Sequence, residues 1–167
     1  GFDEYTVNMS EPMPPEEMAK YWSDFINGHI PNFDLSAYEQ IDNYVKECWA
    51  AIVDTAIWAE KELPGVLDTV KPDLICVDNV ILFPAIKRYA REHNKPWVRM
   101  ISCSENEIAD PLVPPHLSGC GEKDTACFAA YQDRFNEVIR PTHEKFNAFL
   151  KECGESPYEL GEFFEAS

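Results

Sequence analysis

The sequence predicts an α/β fold in which a parallel sheet is flanked by helices. Residues 74–77 form a short apolar run between turn signals, as is typical of a strand buried on both faces, and residues 97–102 are predicted as a second strand. A helical pattern that begins near Pro84 separates them. Strand, helix and strand within about 30 residues form a βαβ unit, so we expect two parallel strands with a right-handed crossover.

Composition fits a globular chain and excludes several classes of partner. The 167 residues are 45% hydrophobic and carry a formal net charge of -16, from 14 basic and 30 acidic side chains. That charge disfavours nucleic acid and anionic membrane surfaces as partners. No apolar run approaches the roughly 20 residues needed to cross a bilayer, so we expect no membrane span.

The amino-terminal region, residues 1–34, is acidic and irregular. Residues 2–7 are predicted as a short strand, which would be the third of the sheet. Pro15, followed by two glutamates, suits the start of a helix. We expect that helix to end near Gly28, because glycine often follows a helix end.

The clearest predicted element is the helix that follows Ser36. Ser36 and Glu39 match the S-x-x-E capping box, and apolar residues then recur at three- and four-residue steps from Ile41 to Ile57. The pattern predicts one buried stripe, with core packing favoured over a ligand-lining role for its aromatic members. Pro64-Gly65 should end the helix, and a short helical turn over residues 66–70 should lead into the first strand.

The carboxyl-terminal half combines a long loop with a long helix. Residues 103–123 contain three prolines and two glycines and leave the second strand. Loops of this length are uncommon and usually functional, so we expect this one to line a site. A helix is predicted from about Asp124 to Gly154, kinked or split at Pro141.

Two convincing strands make a poor sheet, and all-parallel sheets are normally covered on both faces. The chain also opens at Gly1 without an initiator methionine. Together these features predict that residues 1–167 are a single partial domain of a longer protein.

The cysteine pattern favours reduced thiols in a cytoplasmic protein. Cys48 lies in the predicted helical stripe and Cys76 within a strand, where cysteine behaves as a small hydrophobe. No C-x-x-C pair occurs. The six cysteines are Cys48, Cys76, Cys103, Cys120, Cys127 and Cys153.

The sequence predicts neither a metal site nor a bound cofactor. Its four histidines are scattered, and it contains no H-E-x-x-H, P-loop or G-x-G-x-x-G motif. It also lacks the G-x-S-x-G nucleophile elbow. Cys103 follows a strand and would allow a thiol nucleophile, but no histidine is tied to it by pattern.

Asp78 is the best candidate for a catalytic group. It ends the first predicted strand, and ligands of open parallel sheets bind beyond the carboxyl ends of strands. There a carboxylate can orient a histidine that abstracts a proton from a substrate hydroxyl. Alternatively, Asp78 and Asn79 merely cap the next helix, and spacing alone does not decide between these interpretations.

The neighbouring loop supplies candidates for substrate binding. His116 lies in this loop and could approach Asp78, although an exposed, idle histidine is the plainer interpretation. The polar residues at the start of the loop either bind a substrate or satisfy loop backbone groups. The predicted substrate-binding residues are Asn79, Ser102, Ser104, Glu105, Asn106 and His116.

Several stretches resemble the amino-terminal half of GT-B glycosyltransferases, most closely UDP-glycosyltransferases of the macrolide and natural-product type. The likeness runs from about residue 36 to the end and is moderately specific. Its main stretches are Lys71–Asp78, Phe83–Ile86, Lys95–Ser102, Pro114–Gly119 and Gly161–Phe163.

This resemblance implies two Rossmann-like domains, the first binding the acceptor and the second a nucleotide sugar. It also implies transfer with inversion and without a metal. In the family, a histidine in the loop after the first strand is the base, and an aspartate after a later strand partners it; Asp78 falls at that aspartate's position. The first strand, its histidine and the sugar-nucleotide domain lie outside residues 1–167, so we expect this chain alone to be inactive.

The resulting hypothesis is part of the acceptor-binding domain of a UDP-sugar-dependent inverting glycosyltransferase. Its partners would be a small, largely apolar acceptor, the UDP-sugar and the remaining polypeptide of the enzyme. Two alternatives stay open: a non-catalytic α/β binding or regulatory module, and a thiol-dependent hydrolase that uses Cys103.

Overall fold

The structure, a computed structural model, describes residues 2–78, 83–100 and 111–161. Within these ranges the chain is mostly helical. A short 3-10 turn, Ile30–Asp34, follows the first helix, and a π-helical turn, Ile41–Val45, precedes the third. The remaining elements are α1 (Pro15–His29), α2 (Ala37–Gln40), α3 (Lys46–Ala59), α4 (Leu63–Val70), β1 (Ile75–Val77), α5 (Pro84–His93), β2 (Trp97–Arg99) and α6 (Thr125–Glu152).

The two predicted strands pair in parallel, with Ile75 opposite Trp97 and Val77 opposite Arg99. The mixed α/β class and the βαβ order are therefore confirmed. In the described part of the chain these two strands are the whole sheet. The strand predicted at residues 2–7 is wrong, since the described residues there form no regular secondary structure.

Among the described residues, one face of the sheet is buried and the other is exposed. Ile75 and Val77 point into the core, whereas Cys76 between them is exposed. On β2, Val98 is 48% exposed. The expectation that the first strand is buried on both faces is thus wrong, because the described helices cover only the face that carries Ile75 and Val77.

The core forms where the π-helical turn and α3 pack against α6. The predicted capping box is present: the backbone N–H of Glu39 donates to Ser36 Oγ at 3.3 Å, and that of Ser36 donates to the Glu39 carboxylate at 3.0 Å. Hydrogen bonds to the Glu39 carboxylate, first from the Ser36 hydroxyl at 2.6 Å and then from the Ser36 N–H, lower the pKa of Glu39. The stripe after the cap is buried against four apolar α6 side chains. The buried residues are Ile41, Val45, Trp49, Val53 and Ala56, facing Phe135, Ile139, Phe146 and Leu150.

The effect predicted for Pro64 is wrong, and of the two outcomes predicted for Pro141 the split is absent. Pro64 lies in the first turn of α4, where its missing N–H leaves no hydrogen bond unmade, and α3 already ends at Ala59. Pro141 lies inside α6, which is not split. Pro141 is exposed, so the carbonyl that loses its donor lies on the solvent side of the helix.

The expectation that all cysteines are reduced is wrong for one pair. Cys120 and Cys127 form a disulfide, with α-carbons 5.8 Å apart. The loop turns back onto the first turn of α6, which brings together two residues that sequence spacing did not connect. Since disulfides persist mainly in oxidising compartments, the pair removes the cysteine-based argument for a cytoplasmic location.

None of the helices in the described ranges has both the length and the apolar character required to cross a bilayer.

Candidate functional site

Asp78 lies directly after β1, at the carboxyl end of the sheet. The backbone N–H of Met100 donates to the Val77 carbonyl at 2.7 Å, so the two strands leave the sheet side by side. Asp78 itself is exposed. Its position in the sheet is that of a ligand-facing group in a parallel α/β fold.

Five of the predicted substrate-binding residues lie outside the described residues, as does Cys103. Their roles stay predictions. They are Asn79, Ser102, Ser104, Glu105 and Asn106.

His116 is half-buried in the loop that precedes α6, and this burial lowers its pKa. Its neutral form therefore dominates at pH 7. Gly119 has a φ of 66° and comes close to α2, where a Cβ added to it would lie 3.8 Å from that of Ala37. The described part of this loop contacts α2 through Gly119 and α6 through Cys120, and the pairing of His116 with Asp78 stays a prediction.

The end of this loop is fixed to α6 by covalent and polar contacts. The side chain of Asp124 caps the helix by accepting from the Cys127 N–H at 3.0 Å. The Ser118 hydroxyl, itself buried, accepts from the Cys120 N–H at 3.2 Å. Together with the disulfide, these bonds anchor residues 118–124 to the first turn of α6.

The start of α5 is tied to the end of α3. Glu60 accepts a hydrogen bond from the Ala85 N–H at 2.9 Å and forms an ion pair with Arg88. The hydrogen bond to Glu60 raises the pKa of Arg88. This contact anchors the start of α5, the first described helix after Asp78 in the sequence, to the helical core.

Two cavities open elsewhere on the described surface. The first, of about 390 Å³, is lined by charged and aromatic residues near the amino ends of the strands, opposite Asp78. Lys95 there donates to Asp73 at 2.6 Å. Its lining residues are Asp68, Lys71, Tyr89, His93 and Lys95. Among the described residues, no three histidine, cysteine, aspartate or glutamate side chains come together as metal ligands.

The second cavity, of about 550 Å³, lies between the amino-terminal segment, α1 and α3. This cavity is not among the features predicted from the sequence. The signal for it is the clustering of Met9, Met13 and Met18 near Tyr21 and Trp22, just before and within the helix predicted from Pro15.

No protein-family model and no curated protein matches this chain.

Proposed function

We propose that the chain is part of the acceptor-binding domain of a UDP-sugar-dependent inverting glycosyltransferase. The proposal starts from the family resemblance of residues 36–167. The observation that carries it is the position of Asp78, an exposed carboxylate at the carboxyl end of a strand in a parallel βαβ unit.

In the proposed reaction, a histidine from outside residues 1–167 accepts the proton of the acceptor hydroxyl. The acceptor oxygen forms a bond to the anomeric carbon while the bond from that carbon to the diphosphate oxygen breaks, releasing UDP. The Asp78 carboxylate orients the imidazole and stabilises the imidazolium that forms. The proton then passes to solvent.

The segments that follow the two strands in the sequence are anchored to helices, which supports a preorganised site. The chain leaves β2 at the same edge of the sheet as Asp78, and the Cys120–Cys127 disulfide anchors residues further along to α6. The Glu60–Arg88 ion pair anchors α5, the helix that follows Asp78 in the sequence. Rigid supports of this kind are needed to hold a base within hydrogen-bond reach of an acceptor.

The test is UDP release by the full-length protein, supplied with UDP-glucose, UDP-galactose or UDP-N-acetylglucosamine and a panel of apolar phenols. General acid–base groups contribute roughly 100-fold or more, so Asp78→Asn should lower turnover by at least about 100-fold without changing the melting temperature. Turnover equal to that of the wild type in this variant would refute the role of Asp78. Absence of UDP-sugar binding by calorimetry would favour the non-catalytic binding module.

A further inference from the structure

We propose that the 550 Å³ cavity between the amino-terminal segment, α1 and α3 is a binding site for a small, uncharged, aromatic molecule. Its volume falls within the range of roughly 300–1,000 Å³ that is usual for small-molecule sites. The proposal does not rest on sugar transfer, because it uses only residues far along the chain from Asp78 and its loop.

Two helices form the walls. On α3, Ala51, Thr55 and Trp58 recur at steps of four and three residues and so share one face. The small side chain at Ala51 leaves room between the helices. Thr55 donates its hydroxyl to the Ile52 carbonyl at 2.7 Å, so that polar group is already satisfied within the helix.

The opposite wall is α1, which buries none of its residues. Tyr21 is 49% and Trp22 48% exposed, although both line the cavity. Their rings contact edge-to-face with centroids 5.4 Å apart, and Phe25 contacts Trp22 in the same way at 5.8 Å. These contacts orient aromatic surface that the chain itself leaves largely uncovered, and a ligand that covers it would gain apolar burial.

The amino-terminal segment closes a third side. The backbone N–H and side-chain amide of Asn8 donate to the two carboxylate oxygens of Glu62, at 3.0 and 2.7 Å. This tie holds Met9 and Met13 against the cavity. Because methionine side chains are flexible and polarisable, they adapt well to a flat apolar ligand.

The charges around the cavity favour a neutral ligand. Asp54 lines the cavity with its charge offset by Lys145, and the formal charge of -16 on the whole chain disfavours anions. A cationic ligand would have to displace lysine side chains of the protein from the groups that attract positive charge. Lys145 already pairs with Asp54, and Lys61 Nζ lies 3.1 Å from the centroid of the Trp58 ring. The two groups best suited to bind a cation are therefore engaged.

The test is a fluorescence titration of the chain with N-phenyl-1-naphthylamine, a neutral aromatic probe, followed also by energy transfer from tryptophan. We expect saturable binding at one site. The anionic probe 1-anilinonaphthalene-8-sulfonate, of similar ring structure, should bind at least tenfold more weakly. Absence of saturable binding, or stronger binding of the anionic probe, would overturn the proposal.

Two variants locate the bound probe. Ala51→Leu fills the cavity and Trp22→Ala removes an exposed ring, and each should weaken binding of the neutral probe at least tenfold. Ile26→Ala is the matched control, because Ile26 is an exposed apolar residue of α1 outside the cavity lining. The Ile26→Ala variant should bind the neutral probe with the same affinity as the wild type.

Circular dichroism of each variant verifies the fold, and Trp22→Ala keeps the test valid if Ala51→Leu unfolds. Unchanged affinity in Trp22→Ala would place the probe elsewhere and refute the site. Sedimentation would refute it too if it revealed a dimer that Trp22→Ala dissociates, since a second copy would then occupy the cavity.

Discussion

Helices α1 and α3 are similar in length but differ in burial. The 14 residues of α3 include Trp49, Val53, Ala56 and Ala59 in the core, whereas none of the 15 residues of α1 is buried. Both sequences alternate apolar and polar residues with helical spacing. The difference lies in the partner: α3 packs along α6, while α1 faces a cavity and solvent.

This contrast divides the described part of the molecule into a packed core and an exposed surface that carries the proposed sites. The core consists of the π-helical turn, α3 and α6. Asp78, the open face of the sheet and the α1 cavity lie on the exposed surface. Because binding and catalytic groups must reach their ligands, we expect substitutions in the core to change stability and substitutions on the surface to change binding or turnover.

The largest effect on stability should come from truncating the same residue type in the two regions. Phe146 of α6 is fully buried, so Phe146→Ala should lower the free energy of unfolding by about 3–5 kcal/mol. Phe25 of α1 is half-buried and packs mainly on rings of its own helix, so Phe25→Ala should cost about 1 kcal/mol or less. Urea unfolding measures both values. Equal losses in the two variants would contradict the division.

A smaller effect, of opposite sign, should come from Tyr131 in the core. Within the described residues its buried hydroxyl has no hydrogen-bond partner. Tyr131→Phe removes that uncompensated group and should raise the free energy of unfolding by about 1 kcal/mol, as measured by urea unfolding at pH 7. A loss of stability would show that the hydroxyl is satisfied in solution.

Tyr131 should also change how the free energy of unfolding depends on pH under alkaline conditions. Burial raises the pKa of Tyr131 to about 12. In the unfolded chain the phenol ionises near pH 10, so the folded state loses stability between about pH 10 and 12. Comparing wild type with Tyr131→Phe isolates this contribution, because the other tyrosines are common to both. The difference between the two proteins should grow in favour of the variant as pH rises through that window.

The smallest effect should be local to the amino-terminal segment. Hydrogen bonds from the Asn8 backbone and side chain lower the pKa of Glu62. The tie is therefore intact above the ordinary glutamate range and is lost as pH falls through the lowered pKa of the folded state. Amide exchange of Asn8, followed by NMR, should accelerate in Glu62→Gln, while the urea midpoint stays unchanged. Equal protection of the amide in both proteins would exclude this contact.

The predictions from sequence were accurate where local chemistry decides structure. The Ser36–Glu39 cap, the stripe after Ile41 and the βαβ order all depend on neighbouring residues, and the structure confirms them. Predictions that depend on distant packing were less accurate. The apolar pattern of residues 74–77 did not reveal that one sheet face stays exposed, because that depends on which helices cover it.

For the candidate site too, predictions that depend on local sequence succeeded and features that depend on distant contacts were not predicted. The location of Asp78 at the carboxyl end of β1 followed from strand order alone. The cavity and the Cys120–Cys127 disulfide each depend on how separate segments fold back on one another. Residue spacing does not reveal contacts between distant segments, so neither the cavity nor the disulfide is predicted from the sequence.

The most direct test of the proposed catalytic role compares the two ends of β1. Asp73 and Asp78 are exposed aspartates on either side of the strand, and Asp73 pairs with Lys95 at the amino end. In the full-length protein, kcat for UDP release should fall at least about 100-fold in Asp78→Asn and stay near wild type in Asp73→Asn. Equal kcat values for the two variants would contradict the assignment of function to the carboxyl end of the sheet.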